Sequence, residues 1–272
     1  MNRDTDSPLK SSTKWSAVSI PHEVRFMYTV RIREVETEIP IEVHSMTSRF
    51  PRLVLTIGFG LTLLCLSVDA ASNLPIPPAK VDAQPAATPG KQTAVFAGGC
   101  FWGTQAVFER VKGVLDTAAG YSGGIAKTAT YDQVITETTG HAESVEVVFD
   151  PSRITYGQLL RIFFSVAHDP TELNRQGPDV GTSYRSAIFY SDEDQKRIAL
   201  AYIAQLDAAK IFPGRIVTEV SPLKGFYSAE DYHQDFAIKN PTNSYITICD
   251  LPKIAALKQQ FPELFMDYKR KK

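Results

Sequence analysis

Residues 93–111 read TAVFAGGCFWGTQAVFERV and place a cysteine, Cys100, directly after two glycines. The five residues before the glycines are mostly apolar and too few for a helix, which is typical of a buried strand. The residues after the cysteine carry apolar side chains at helical spacing, so a helix is predicted there. This stretch therefore predicts a strand, a tight turn and a helix, with Cys100 at the junction.

The chain downstream of this junction alternates between strand and helix signals. Val145, Val147 and Phe149 mark a second strand, which Asp150 and Pro151 end. The later signals are, in order, a capping box at Thr155 and Gln158 that opens a helix, a strand at 184–190, a helix after the acidic residues 192–194, a strand at 216–220 and a helix at 228–238. We expect one α+β domain at residues 93–265, an α/β-type two-layer plait with helices packed on a mixed sheet.

The charge and the cysteine content exclude several classes of protein. Formal net charge is −1, and acidic and basic residues are intermixed up to a basic tail at 266–272, so nucleic acid is not an expected partner. The three cysteines, Cys65, Cys100 and Cys249, are too few and too scattered for a disulfide framework or a zinc site. We therefore expect no metal or other cofactor. We also expect the protein to be a monomer.

An uncharged apolar run at residues 53–68 follows Arg49 and Arg52. Its 16 residues suit the hydrophobic region of a secretory signal better than a complete membrane span. Cleavage after Ala70 would leave small or modest residues at the cleavage site, so we predict a signal peptide at 46–70 and export to the periplasm. An uncleaved membrane anchor through residues 53–68 is the alternative.

The segments on either side of the predicted signal peptide lack the features of a folded domain. Residues 1–45 contain one alternating apolar run, but a lone strand cannot bury its apolar face, so we expect a non-native or disordered extension. Residues 71–92 are rich in proline, alanine and small polar residues, without a periodic apolar face. Such a composition predicts a flexible tether.

Cys100 is the candidate nucleophile because of its place in the chain. A thiolate is stabilised where backbone N–H groups and the positive end of a helix converge on it, and the turn at Gly98 and Gly99 offers that environment. The two glycines also allow a substrate to approach the sulfur closely. The alternative is a buried structural cysteine, which is the role of most free cysteines.

The residues around Cys100 open a series of motifs that resembles the methionine sulfoxide reductase A family. The matching segments, in order, are AVFAGGCFWGTQAVFERVKGVLDTAAGYSGG from Ala94, Thr130-Tyr131, TGHAESV from Thr139, His168-Asp169-Pro170, NRQG from Asn174, DVGTSYRS from Asp179 and AEDYHQ from Ala229. They span nearly all of the predicted domain. The resemblance implies a thiol-dependent reductase of methionine-S-sulfoxide, in proteins and free, that repairs oxidative damage.

The resemblance also implies roles for individual residues. Cys100 would attack the sulfoxide sulfur, and Glu143 would protonate the departing oxygen, leaving methionine and a cysteine sulfenic acid. A glutamate donates a proton at neutral pH only if burial or a hydrogen bond favours its neutral form. An ordinary solvated carboxylate at the end of a strand is the alternative for Glu143.

The substrate pocket is implied in the same way. Tyr131 and Tyr184 match tyrosines that donate hydrogen bonds to the sulfoxide oxygen, and Asp179 matches a polar residue of the pocket. Phe101 and Trp102 resemble the aromatic wall around the substrate methyl group. Plain packing is the alternative for all four aromatic residues, and a turn is the alternative for Asp179. His141, His168 and His233 lack metal-ligand spacing and are interpreted as structural hydrogen-bonding residues.

The final step of the reaction cycle depends on Cys249. Many relatives place a resolving cysteine near the position of Tyr245, whereas here Cys249 is the candidate. A sulfenic acid condenses with a nearby thiol to a disulfide that a thioredoxin-like reductant can open. Alternatively, Cys249 lies buried in an apolar C-terminal strand, and an external thiol reduces the sulfenic acid directly.

Two other functions use the same residues. Cys100 could attack peroxide oxygen in a thiol peroxidase, although the aromatic pair and Glu143 favour a sulfoxide. A non-catalytic methionine-binding module is the third class. An exported reductase would act on oxidised envelope proteins and would need an exported thioredoxin-like donor.

Overall fold

The computed structural model describes residues 76–268, so the predicted extension at 1–45, the predicted signal peptide at 46–70 and the last four tail residues lie outside the described residues. The strands are β1 (Gln92–Gly98), β2 (Val114–Ser122), β3 (Ala142–Phe149), β4 (Arg175–Gln176), β5 (Asp179–Val180), β6 (Ser186–Tyr190), β7 (Glu219–Pro222) and β8 (Phe226–Ser228). The α-helices are α1 (Phe101–Phe108), α2 (Tyr131–Val134), α3 (Tyr156–Ile162), α4 (Glu193–Ala208), α5 (Phe236–Lys239) and α6 (Leu251–Gln260). Within these residues no helix has the length and apolarity needed to span a membrane.

Six of the strands form one mixed sheet in the order β7-β6-β1-β3-β2-β8. Its neighbouring strands are antiparallel except for β6 and β7, which are parallel, and β4 and β5 form a separate small hairpin. Helix α1 packs on β2, β3 and α6, while α3 packs on α4. The predicted α+β class with helices on a mixed sheet is confirmed.

The central strand β1 is buried on both of its faces. Ala94 and Phe96 point into the main core, whereas Val95 and Ala97 belong to a smaller cluster on the opposite face with Phe189. This follows from the period of two in a strand, and it explains why the sequence before the glycines is continuously apolar. The strand that leads to Cys100 is therefore held rigidly from both sides.

The helix predicted at 228–238 is wrong. Phe226–Ser228 is strand β8, turns follow, and the helix spans only Phe236–Lys239. Asp235 adopts a left-handed backbone conformation with φ of 54°, which interrupts a helix. The Gln234 side chain accepts a hydrogen bond from the Ala119 N–H at 2.9 Å and donates one to the Ala119 carbonyl at 2.9 Å. Contacts with a distant strand therefore override the local helix signal.

The C-terminal strand considered for Cys249 is also wrong. Ile246–Asp250 is a π-helical turn that continues directly into α6. The Asn243 side chain accepts a hydrogen bond from the Tyr245 N–H at 2.9 Å, and the Asn243 carbonyl accepts one from the Thr247 N–H at 2.9 Å. Asn243 thus starts a helical segment that the alternating apolar pattern does not predict.

The flexible tether predicted at 71–92 is wrong for its described part, because residues 76–91 are bonded to the domain. Tyr202 Oη donates a hydrogen bond to the Pro77 carbonyl at 2.7 Å. The Asp82 carboxylate accepts hydrogen bonds from Thr155 Oγ1 at 2.5 Å and the Gly157 N–H at 2.8 Å, which caps the start of α3. A segment without periodicity can still be ordered when helix termini and tyrosines supply its partners.

Candidate active site

Cys100 stands between β1 and α1, as the sequence predicts. It is the N-cap residue of α1, and its side chain is 8% exposed. Gly99 before it has φ of +82°, and a Cβ there would lie 2.5 Å from the Gln176 side chain. Only glycine fits this turn, because of both its backbone conformation and the close approach of Gln176.

Glu143 lies directly beside Cys100. It is the second residue of β3 and 3% exposed, and its Oε2 accepts a hydrogen bond from the Phe101 N–H at 3.0 Å. Burial raises the pKa of the carboxyl to about 8, although the Phe101 N–H and a hydrogen bond with the Cys100 thiol oppose this shift. At neutral pH Glu143 is therefore mostly protonated and can donate a proton.

The Cys100 thiol is neutral in the resting site. Burial raises the pKa of this thiol well above the ordinary value, and the neighbouring Glu143 and Asp250 carboxyls raise it further. The backbone N–H of Trp102 lowers it. The expectation that the helix N-terminus stabilises a thiolate is thus outweighed by desolvation. The thiol must lose its proton as the reaction proceeds.

Tyr131 and Tyr184 are half-buried neutral donors. Burial is the main cause that raises the pKa of Tyr131, to about 12, and it also raises the pKa of Tyr184 well above the ordinary value. Both phenols are further influenced by Glu143 and Cys100, which places them at the same site. Their O–H groups stay protonated at every physiological pH and can stabilise a polar oxygen.

The aromatic pair after Cys100 is split between two environments. Phe101 is 1% exposed and packs against Tyr121 and His233, with ring centroids 5.8 and 4.9 Å away. Trp102 is half-buried, stacks on Phe236 at 3.8 Å and donates its Nε1–H to His233 Nδ1 at 3.1 Å. These ring contacts hold both aromatic side chains in place. That Phe101 lines a pocket for the substrate methyl group stays a prediction.

Asp179 binds Tyr245, a residue to which the sequence analysis assigns no role in the site. Its carboxylate accepts a hydrogen bond from Tyr245 Oη at 2.5 Å. The Tyr245 ring stands edge-on to Trp102 at 5.9 Å, and Cys100 is among the groups that raise the pKa of Tyr245. Tyr245 therefore lines the site, but its segment carries no local signal for this because the hairpin β4–β5 supplies the partner.

Two further carboxylates near the site were missed by sequence reasoning. Asp250 is fully buried, lies 3.4 Å from Lys253 Nζ and has a pKa raised by burial to about 6. Glu230 accepts hydrogen bonds from Tyr121 Oη and the Tyr131 N–H, both at 2.9 Å. Glu230 belongs to the AEDYHQ motif, which was the available signal, whereas nothing local marks Asp250.

Cys249 is half-buried and directly precedes Asp250. Burial raises the pKa of its thiol, with Asp250 and Asp179 as further causes. The same two carboxylates raise the pKa of Cys100, so Cys100 and Cys249 lie in one electrostatic environment. The resolving role of Cys249 stays a prediction.

The three histidines within residues 76–268 make hydrogen bonds to other groups of the protein. His168 contacts the Phe163 carbonyl at 3.1 Å and Ser186 Oγ at 2.8 Å, and burial lowers its pKa to about 3. His141 contacts the Gly124 N–H and the Ile125 carbonyl. Across residues 76–268, no group of three or more histidine, cysteine or acidic side chains is placed to hold a metal ion.

Comparison with known proteins identifies relatives of the whole domain. Residues 92–264 match the family model described as peptide methionine sulfoxide reductase. The chain is 59% identical over 181 residues to peptide methionine sulfoxide reductase MsrA 2 of Mesorhizobium japonicum, covering 66% of this chain and 93% of the relative. It is 52% identical over 190 residues to MsrA 2 of Synechocystis, covering 69% and 89%. The structure of reduced Mxr1 from Saccharomyces cerevisiae matches with a TM-score of 0.50 and 33% identity, covering 60% and 92%.

Proposed function

The chain belongs to the peptide methionine sulfoxide reductase family, and from this premise we propose that Cys100 and Glu143 act as one catalytic pair. The protein reduces methionine sulfoxide to methionine with electrons from a thiol, which repairs oxidised proteins. The observation that carries the proposed pair is the buried Glu143 carboxyl, which accepts a hydrogen bond from the N–H of the residue after Cys100 at 3.0 Å and whose pKa is raised by burial to about 8.

The proposed first step moves two electrons and no net proton. The Cys100 sulfur attacks the sulfoxide sulfur while Glu143 donates its proton to the sulfoxide oxygen. The protonated oxygen then passes from the substrate sulfur to the Cys100 sulfur as the substrate sulfur–oxygen bond and the transient sulfur–sulfur bond break, which leaves Cys100 as a sulfenic acid. The proton of the Cys100 thiol returns to Glu143, so the acid is regenerated. The substrate sulfur is reduced to the thioether, and the cysteine sulfur is oxidised.

The pocket residues stabilise the polarised oxygen in this step. We propose that the Tyr131 and Tyr184 O–H groups bind the sulfoxide oxygen, because burial keeps both phenols neutral. Trp102, with Phe101 behind it, would hold the substrate methyl group, and Asp179 fixes the Tyr245 hydroxyl at the rim. This asymmetric arrangement of donors and an aromatic wall favours one sulfoxide epimer, which we propose to be S.

The sulfenic acid is then returned to the thiol. We propose that Cys249 condenses with it, with loss of water, and that a thioredoxin-like protein opens the disulfide. The shared influence of Asp179 and Asp250 on both cysteines supports this proposal. A Cys249→Ser variant that keeps full turnover with a thioredoxin-like donor would show direct reduction of Cys100 instead.

We propose that the enzyme is exported, on the basis of the apolar run at 53–68 and the arginines before it. Its donor would then be an exported thioredoxin-like protein. The intact mass of the native product tests this proposal. We expect a mature N-terminus near Ala71. A terminus well upstream would refute cleavage after Ala70 and would support the membrane-anchored alternative.

The proposed catalytic pair is tested with each methionine sulfoxide epimer and dithiothreitol. We expect turnover of the S epimer alone, loss of turnover in Cys100→Ser, and wild-type turnover in Glu146→Gln, a matched carboxylate on β3. Equal turnover of both epimers would refute the proposed pocket. Consumption of peroxide without sulfoxide turnover would identify a thiol peroxidase.

A further inference from the structure

We propose that Glu137 is a positioning residue for Tyr184. The inference rests on the proposed function, which assigns to the Tyr184 O–H a hydrogen bond with the sulfoxide oxygen. Glu137 lies in the loop between α2 and β3, and Tyr184 ends a 3-10 turn, Thr182–Tyr184, that stands before β6. The two segments are distant in sequence and meet at the Glu137 carboxylate.

The Glu137 carboxylate bonds to this turn at three donors. Its Oε2 accepts from the Ser183 N–H at 2.8 Å and from Thr182 Oγ1 at 2.9 Å, and its Oε1 accepts from Ser183 Oγ at 2.6 Å. Ser183 is 1% exposed, so its two polar groups need partners inside the protein. One side chain therefore accepts from the hydroxyls of both residues that precede Tyr184 and from the Ser183 N–H.

The backbone on both sides is shaped around this contact. Glu137 has φ of 63°, in the left-handed region that glycine adopts without strain. Gly181 has φ of 148°, and a Cβ there would lie 2.4 Å from the Glu137 carboxylate. A glutamate in a conformation suited to glycine, facing a glycine that leaves room for it, indicates that the carboxylate itself contributes to the site.

Fixing this turn fixes the Tyr184 ring. The Tyr184 N–H donates to the Gly181 carbonyl at 3.1 Å, so the turn starts at Gly181 and ends at the tyrosine. The turn that ends at Tyr184 packs on β3, the strand of Glu143, and both Glu143 and Cys100 raise the pKa of the Tyr184 phenol. A displaced donor would stabilise the developing charge on the oxygen less well, and rates of positioned reactions depend steeply on such displacements.

Two substitutions of Glu137 separate positioning from charge. Glu137→Gly suits the backbone conformation but removes all three acceptor contacts, and we expect the single-turnover rate of sulfoxide reduction to fall about tenfold. Glu137→Gln keeps an acceptor for the Ser183 N–H and removes the charge near Glu143, and we expect it to stay within about threefold of wild type. If Glu137→Gln loses as much rate as Glu137→Gly, the effect is electrostatic and the positioning proposal is overturned.

A double-mutant cycle with Tyr184→Phe decides whether Glu137 acts through the tyrosine. We expect Glu137→Gly to have no further effect on the single-turnover rate in the Tyr184→Phe protein. The rate of Cys100 alkylation by iodoacetamide, which does not use Tyr184, should stay within about twofold of wild type throughout. Additive losses would overturn the positioning role of Glu137 and leave Tyr184 in place. A Tyr184→Phe protein with the wild-type rate would instead refute the proposed role of Tyr184, and with it the inference.

Discussion

The two sides of the active site are built by different kinds of interaction. On the Cys100 side, β1 runs through the glycine turn directly into α1, so the cysteine is placed by local structure, and the neighbouring strand β3 adds Glu143. The opposite side consists of residues 226–250, where Tyr245 bonds Asp179 and Gln234 bonds Ala119 across long stretches of sequence. The proposed nucleophile thus depends on local structure, whereas the proposed proton donor and the shape of the pocket depend on tertiary contacts.

The largest effect should come from the Glu143 carboxyl on the Cys100 side. Glu143→Gln cannot donate the proton, so we expect kcat for sulfoxide reduction to fall by about 10²- to 10⁴-fold. Assays at neutral pH, with Glu146→Gln on the same strand as the unchanged control, measure this loss. A fall of less than about threefold would mean that another group protonates the oxygen.

The same substitution should stabilise the protein at high pH. The pKa of Glu143 is raised to about 8 in the folded state, so the folded protein holds this proton more tightly than the unfolded chain. The free energy of unfolding of the wild type is therefore lowered as the pH rises from the ordinary glutamate value towards 8, and Glu143→Gln escapes this loss. Urea unfolding at low and high pH compares the two proteins, and equal pH dependence would contradict the raised pKa.

A smaller effect is expected on the tertiary side of the site. Tyr245→Phe removes the donor to Asp179 and leaves that half-buried carboxylate without it, and we expect kcat/KM to fall about tenfold. Tyr190→Phe, a tyrosine at the end of β6, is the matched control and should keep the wild-type value. If Tyr245→Phe keeps the wild-type kcat/KM as Tyr190→Phe does, the Tyr245 side chain contributes to packing and not to the substrate pocket.

The smallest effect on activity should come from Gln234, which holds the tertiary side in place. Gln234→Leu leaves the Ala119 N–H without its acceptor and removes one of the two donors to the Ala119 carbonyl, which keeps the Ala229 N–H, and we expect the free energy of unfolding to fall by about 1–3 kcal/mol. Activity should stay within about threefold, because no reacting group is touched. Gln133→Leu makes the same glutamine-to-leucine change at an exposed position and is the control in the same denaturation experiment.

This contrast also explains which features the sequence could predict. The strand, turn and helix around Cys100 follow from residues that are neighbours in the chain, and the family resemblance placed the candidate residues of the pocket in order. The segment at 228–238 has helix signals, but Asp235 is left-handed and Gln234 is committed to β2. Asp250 and Tyr245 likewise gain their surroundings from α1 and the β4–β5 hairpin, which no local pattern contains.

The protonation state of Glu143 at neutral pH can be measured directly. Infrared difference spectra of wild type and Glu143→Gln, recorded across a pH titration, isolate the signal of this one carboxyl. We predict a protonated carboxyl at neutral pH that ionises at about pH 8, with the single-turnover rate falling about tenfold for each further pH unit because the acid form is the active one. A carboxyl that ionises near its ordinary value of 4.5, and is fully charged at neutral pH while the enzyme turns over, would contradict the catalytic pair.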